Sequence, residues 1–428
     1  MGDGYSRPQK FIREVTGVSS LKEAEALRAH PFWLIVHEST AARMPKLVRA
    51  LVAVAVRSCS GEINIRVAGN QAFRKRVTHL AKEEAEGFGC ASRLSSREFA
   101  ENEWAGSGIA LGMSRGGMVG VDTGGLYAAI NHLLPPSSAA PHSAAACLAA
   151  ALGFAKYFAA NVLGRRAAVA ESWAFSLDSL SASLPSLEQI EPAVPSTNLG
   201  EIHLLGAGAI GSAFCFSVHL SDDSGNLEIV DRGSYDEPNE ETTFFISSRD
   251  AVRNPPKAQE LARLAKRDGL QILGHPTMEL RADDQYLRHS CDTFVCAVDN
   301  PETRRVLDSA NCRLLVNAGL GGTSLDAGHV LATWHNSDAR PLSEFYPERG
   351  GSENLREVNS PPAEITDECS RLAYKSVALA APFMALAAGA LLHAFCRLNV
   401  AQRRPDANYI KLDLLGRQCQ LIRRLICR

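Results

Sequence analysis

Hydrophobic positions along this chain fall into short runs and longer stripes that alternate over most of its length. In the first part, Ile63 to Val67, Gly108 to Gly112 and Met118 to Val121 have the length and content of strands. Arg74 to Gly87 repeats with helical spacing, and Leu47 to Val56 suits either a helix or a strand. In the second part, strand-like runs stand at Ile202 to Leu205, Leu227 to Val230, Leu270 to Leu273, Thr293 to Val298, Leu314 to Asn317 and Gly328 to Trp334. Helical patterns at Pro255 to Asp268 and Pro301 to Asn311 lie between them, and strand-like Tyr409 to Leu415 and Gln420 to Cys427 close the chain. Strands alternating with helices predict an α/β fold around largely parallel sheets.

Two alanine-rich stripes stand out, His142 to Gly164 and Tyr374 to Cys396. Their likeness, about 230 residues apart, predicts a duplicated architecture with close helix packing. The halves are assigned to residues 1–190 and 191–428, with the Ser-, Pro- and Glu-rich stretch Asp178 to Asn198 as the crossing between them. Val377 to Phe395 is long and apolar enough to raise a membrane span, but Pro382, Gly389 and His393 favour a buried helix. A polar stretch from Asn336 to about Asp367 is longer than a plain connection needs, and reads as a functional or mobile loop.

Composition narrows the picture further. A chain of 428 residues with net charge −2 has room for two or three cores and no electrostatic case for nucleic acid or anionic lipid. Eleven cysteines without a C-x-x-C pair or a signal peptide predict free thiols in a reducing cytoplasm, and argue against a four-cysteine zinc site.

The chemistry concentrates between Glu201 and Asp231. An apolar run leads into Gly206-x-Gly208-x-x-Gly211, a helical pattern follows, and a second apolar run ends at Asp231. Glycines allow a tight turn and close approach of a ligand, and a helix start offers free N–H groups to phosphate. An acid about 20 residues further on accepts hydrogen bonds from a ribose. This predicts a nucleotide site without saying which nucleotide. The first half shows no such fingerprint, and Ser114-Arg115-Gly116-Gly117 reads as a turn. Lys257 stands where it neutralises phosphate or simply meets solvent. Asp299 ends an apolar run, where a carboxylate holds Mg²⁺ or caps the helix that begins near Pro301.

Taken in order, Gly206-x-Gly208-x-x-Gly211, Asp231, Asn239, Lys257 and Asp299-Asn300-x-x-x-Arg304 resemble the ThiF and ubiquitin-activating enzyme superfamily. The likeness covers about Gly200 to Phe395, with a fainter echo in the first half. It implies a Rossmann-like adenylation fold in two pseudo-symmetric halves, the first degenerate, with a crossover loop over 336–370. It also implies that Gly206, Gly208, Gly211, Asp231 and Asn239 bind ATP, that Lys257 neutralises its phosphates, and that Asp299 binds Mg²⁺. Arg7 or Arg13, after Tyr5-Ser6, is similar to a family segment whose arginine reaches ATP in the other half. Cys369 lies where such enzymes take the activated chain end as a thioester. The sequence departs from the family pattern at Glu240 to Thr243, where an arginine is missing, and at Gly233, which replaces an acid.

The resemblance extends to the fused activating enzymes of bacterial ubiquitin-like conjugation systems linked to antiviral defence. It implies adenylation of the C-terminal glycine of a ubiquitin-like protein and transfer to a ubiquitin-conjugating-type enzyme. No nucleic acid and no membrane are implied, and a homodimer is allowed. Two other readings stay open: an adenylating enzyme for a sulfur carrier or peptide that forms no enzyme thioester, and a nucleotide-binding oxidoreductase.

Overall fold

The alternating runs become two eight-stranded sheets. The computed structural model describes residues 6–40, 44–98, 108–112, 118–132, 134, 140–165, 172–182, 194–275, 285–320, 329–335, 341–345, 380–403, 407–415 and 420–424. The first sheet contains β1 (Phe32–His37), β2 (Ile63–Ala68), β3 (Leu94–Glu98), β4 (Gly108–Leu111), β5 (Met118–Gly124), β6 (Tyr127–Ile130), β7 (Trp173–Ser176) and β8 (Ser181–Ala182). The second contains β9 (Asn198–Leu205), β10 (Ser224–Val230), β11 (Leu270–His275), β12 (Cys291–Cys296), β13 (Cys312–Leu320), β14 (His329–His335), β15 (Tyr409–Asp413) and β16 (Gln420–Arg424).

Their strand orders are β3-β2-β1-β4-β5-β6-β7-β8 and β11-β10-β9-β12-β13-β14-β15-β16, one pattern used twice. In both sheets the first five strands in that order are parallel and the rest antiparallel. The duplication expected from the two alanine-rich stripes is thus present in the topology. Strand order reverses beside β1 and beside β9, and in an open parallel sheet that reversal leaves a crevice at the strands' carboxyl ends.

The helices of the first half are α1 (Arg7–Thr16), α2 (Leu21–Arg28), α3 (Met44–Ser58), α4 (Gln71–Gly87) and α5 (Ser143–Asn161). Those of the second are α6 (Ala209–His219), α7 (Glu237–Glu240), α8 (Ser248–Val252), α9 (Lys257–Ala265), α10 (Gln285–Arg288), α11 (Pro301–Val306), α12 (Leu342–Phe345) and α13 (Pro382–Val400). The ambiguous run Leu47 to Val56 is helix α3; all its positions but Arg49 are buried, so periodicity alone could not separate the two choices. The second alanine-rich helix begins at Pro382, where a fixed φ suits the first turn, and continues to Val400. Residues 374–379, expected to start it, lie outside the described ones.

Both long helices are core elements. Every residue of α5 from Ser143 to Ala160 is buried, and so is most of α13. Small residues let backbones meet: a Cβ on Gly389 would fall 2.5 Å from the α6 backbone at Ala213 and Phe214. Phe383 on α13 packs against Phe11, Phe154 and Phe158, with ring centroids 5.5–5.9 Å apart. One continuous apolar core therefore joins elements of both halves. Burying two such stripes inside protein accounts for their hydropathy without a bilayer.

Candidate active site

Three strand ends are tied together at the crevice beside β9. The Gly206 N–H donates to the Val230 carbonyl (2.9 Å), and the Ala297 N–H to the Leu205 carbonyl (2.8 Å). Gly206 has φ +93°, and a Cβ there would meet the Ala297 oxygen at 2.9 Å. A Cβ on Gly211 would lie 1.9 Å from the Gly206 carbonyl oxygen, so the first turn of α6 sits against the loop. Gly208 differs. Nothing lies within 4 Å of its missing Cβ, and it caps α6 without a side chain, leaving the helix's first amides open to an anion.

Asp231 follows the end of β10 and serves the same loop. One carboxylate oxygen accepts the Ala207 N–H (2.7 Å) and the other the Gly233 N–H (2.7 Å). The buried Tyr235 hydroxyl donates to the Ala207 carbonyl (2.6 Å). Lys257 opens α9 with its N–H on the Gly233 carbonyl (2.8 Å), and its stem runs past Gly233. A Cβ at Gly233 would meet Lys257 Cδ at 3.5 Å and Cε at 3.6 Å, so the missing acid leaves a lane for the lysine. Lys257 Nζ stands 5.8 Å from the Tyr235 ring centroid.

Asp299 is carried by a loop, because β12 ends at Cys296 rather than at Val298. Its neighbour Asn300, not Asp299, caps α11, its side-chain oxygen accepting the Glu302 N–H (2.8 Å). Asp299 is exposed and free of that structural duty. Buried Arg304 holds the loop from beneath: Nε donates to the Val298 carbonyl (3.0 Å) and Nη2 to the Ala318 carbonyl (3.2 Å). In the motif Asp299-Asn300-x-x-x-Arg304, then, the last two residues position the first.

Asn239 is buried, and its Oδ1 has no hydrogen-bond partner among the described residues. Its loop is clasped by the first half. Buried Arg57 donates through Nε to the Thr243 carbonyl (2.6 Å) and through Nη2 to the Ile246 carbonyl (3.1 Å). Arg28 Nη1 reaches both Glu241 (2.7 Å) and the Ser6 hydroxyl (3.1 Å). The amino end of α1, which starts at Arg7, is thereby fastened beside the Asn239 loop. Arg13 lies at the other end of α1 and pairs with Glu14 at 3.0 Å. Of the two arginines considered from sequence, Arg7 is the one beside this loop.

Cys369 lies outside the described residues. Among the described cysteines, burial pushes Cys59 and Cys147 up to about 12 and raises Cys215 and Cys396 as well, which keeps them as thiols. Half-buried Cys90 differs, with Sγ 2.9 Å from Arg93 Nη2 on a cavity of about 300 Å³ that Arg28, Arg57 and Glu241 also line. Arg28, Arg57 and Tyr235 were not singled out from sequence. A lone arginine closing the apolar run of α3 is the one signal the sequence offered for Arg57.

No curated protein matches the chain. Solved structures of E. coli MccB are similar to it, including one with AMPCPP and MccA (14% identity, TM-score 0.37) and one with succinimide (14%, TM-score 0.38). Each alignment covers 53% of this chain and 64% of MccB. PaaA is similar at 12% identity and TM-score 0.38, over 54% of this chain and 64% of its own. The chain thus spans somewhat under two thirds of the length of these relatives. Residues 200–400, from the start of β9 to the end of α13, match the family model described as BilD C-terminal domain. The second half of this chain is therefore similar to a BilD C-terminal domain.

Proposed function

We propose that the chain uses ATP to adenylate the C-terminal glycine of a ubiquitin-like protein and then takes it as a thioester, within a bacterial ubiquitin-like conjugation pathway. One observation carries the reading: the open glycine loop, Asp231, Lys257 and an Asp299 relieved of capping converge on the exits of β9, β10 and β12. A dehydrogenase needs the first two and leaves Lys257 and Asp299 unexplained.

The residues fit a nucleoside triphosphate. Open amides at Gly208 would receive phosphate oxygens, and Asp231 keeps a second lone pair on each oxygen for ribose hydroxyls. The orphaned Asn239 Oδ1 supplies an acceptor beside them. Asp299 would hold Mg²⁺, which supplies charge neutralisation at the phosphates. A carboxylate oxygen of the substrate's terminal glycine attacks the α-phosphorus, the bond to the bridging oxygen breaks, and pyrophosphate leaves. The attacking group is already an anion, so no base is required. Lys257 offsets charge on the departing oxygens, and the fixed loop supplies alignment. In the second step a cysteine thiolate attacks the acyl carbon and AMP leaves. Cys369 is the proposed nucleophile, and a ubiquitin-conjugating-type enzyme is the proposed acceptor.

Incubation with ATP and a glycine-ended ubiquitin-like protein tests the two steps apart. Cys369→Ala is expected to keep pyrophosphate exchange near the wild-type rate and to lose the thiol-labile adduct. A thiol-labile adduct that survives this change moves the nucleophile elsewhere, with Cys90→Ala the next variant. Exchange without an adduct in the wild type favours adenylation alone, as for a peptide or sulfur-carrier substrate.

A further inference from the structure

On the face of the second sheet turned away from α6 and α13 lies a polar cluster that the adenylation site does not use. Glu201 and His203 alternate on β9 and so project to one side, opposite Ile202 and Leu204, which enter the shared core. Glu228 of β10 stands directly beside His203 in the parallel register, and His275 ends the neighbouring β11. We propose that Glu201, His203 and Glu228 bind a zinc ion there, with His275 beside Glu228.

Spacing is the first argument. His203 Nε2 lies 3.5 Å from Glu201 Oε1 and 3.8 Å from Glu228 Oε2, and His275 Nε2 lies 3.5 Å from that same Glu228 oxygen. These distances are too long for good hydrogen bonds. Those from His203 approach the roughly 3.3–3.4 Å that separates two ligands on metal bonds of about 2.0–2.1 Å, and the ligand atoms of Glu201, His203 and Glu228 all lie within 4.8 Å of one another. Satisfaction of polar groups is the second. His203 is only 1% exposed, yet neither ring nitrogen has a hydrogen-bond partner among the described residues, and the same is true of His275 Nε2. A buried polar group left so costs about 1–3 kcal/mol. Packing fixes the His203 ring in place: it stacks on Tyr286 at 4.6 Å between centroids and meets the edge of Phe294 at 5.5 Å.

Charge is the third argument. Among the described residues neither Glu201 nor Glu228 pairs with a lysine or arginine, so two carboxylates face the histidines without a fixed cation. Mixed imidazole and carboxylate donors select a borderline ion such as zinc over magnesium or calcium. The other His and Asp cluster of the molecule shows the contrast. There Asp223 accepts Nε2–H from His142 and from His393, each at 2.9 Å, and the Arg397 guanidinium and the Thr197 N–H as well, which leaves those nitrogens satisfied and a cation alongside.

The ion would tie β9 to β10 just upstream of the glycine loop and Asp231 without touching nucleotide, so the proposal stands whether or not the chain adenylates. Untagged protein prepared with zinc supplied, dialysed and measured by elemental mass spectrometry should carry about one zinc per chain in excess of any in the His203→Gln protein. Glu201→Gln, at a half-exposed position, guards against a folding defect and should weaken zinc retention against a chelator by about tenfold or more. Cobalt substituted into the wild type should show strong tetrahedral absorption that both variants lose. A zinc-free wild type, or zinc and cobalt signals unchanged in both variants, would overturn the site.

Discussion

At the scale of single residues, the three fingerprint glycines turn out to do different work, which their spacing could not reveal. A methyl group at Gly211 would collide with the Gly206 carbonyl at 1.9 Å, whereas one at Gly208 would point into open space. Gly211→Ala is therefore expected to lower stability by roughly 1–3 kcal/mol, the usual cost of overpacking. Gly208→Ala should keep the wild-type melting temperature and lose affinity for ATP, because only the ligand occupies the space it fills. Thermal melts alongside ATP titrations of both variants check this, and an equal loss of stability in the two would contradict it. The fingerprint, Asp231 and Lys257 were legible from sequence, since strand, turn and helix patterns fix them to one sheet edge. The capping role of Asn300 and the lane at Gly233 were not, because each depends on which of two adjacent side chains turns inward.

At the scale of elements, the two halves share one topology but not one turn. After β9 comes the glycine loop; after β1 comes Glu38, whose carboxylate accepts the Asn70 N–H at 3.0 Å beyond the end of β2. Gly69 stands where Asp231 stands in the second half, and a Cβ there would meet Glu38 Oε2 at 2.9 Å. The first half thus puts a carboxylate where the second half has its glycine loop. Equilibrium binding is expected to give one ATP per chain, and a stoichiometry of two would refute the degenerate assignment. Most strands were visible as apolar runs between turn signals. The exceptions are β1, β3, β6, β7 and β8: β3 is largely polar, and β6, β7 and β8 are only four, four and two residues long, too short to show alternation. The end of β12 was misplaced by two residues because Ala297 and Val298 are apolar although they belong to the loop that Arg304 holds.

At the scale of the whole molecule, the halves meet through a shared core and a buried polar knot: His142 at the start of α5, Asp223 before β10 and His393 on α13. Pairing across a core was invisible in the sequence, since it depends on residues up to 251 positions apart (142 to 393). Burial pushes His142 down to about 3 and lowers His393, so both imidazoles stay neutral in the fold. Below about pH 6.5 the unfolded chain binds protons that the folded chain does not, and unfolding free energy falls as pH drops toward 3. The loss is at most about 1.4 kcal/mol per pH unit for each histidine. Melting temperatures from pH 7 to pH 4 should decline, and His393→Asn should flatten that decline; an unchanged slope would exclude the pair as its source. None of this bears on the chemistry as directly as Asp299, the exposed carboxylate that Asn300 and Arg304 hold at the strand exit. The decisive measurement is exchange of labelled pyrophosphate into ATP, driven by a glycine-ended ubiquitin-like protein, in the wild type and in Asp299→Ala. Robust exchange in the wild type, reduced at least a hundredfold by the substitution, is the expected result, about 2.7 kcal/mol or more of lost transition-state stabilisation. Exchange at near wild-type rate in Asp299→Ala, or none in the wild type with NAD bound instead, would contradict it.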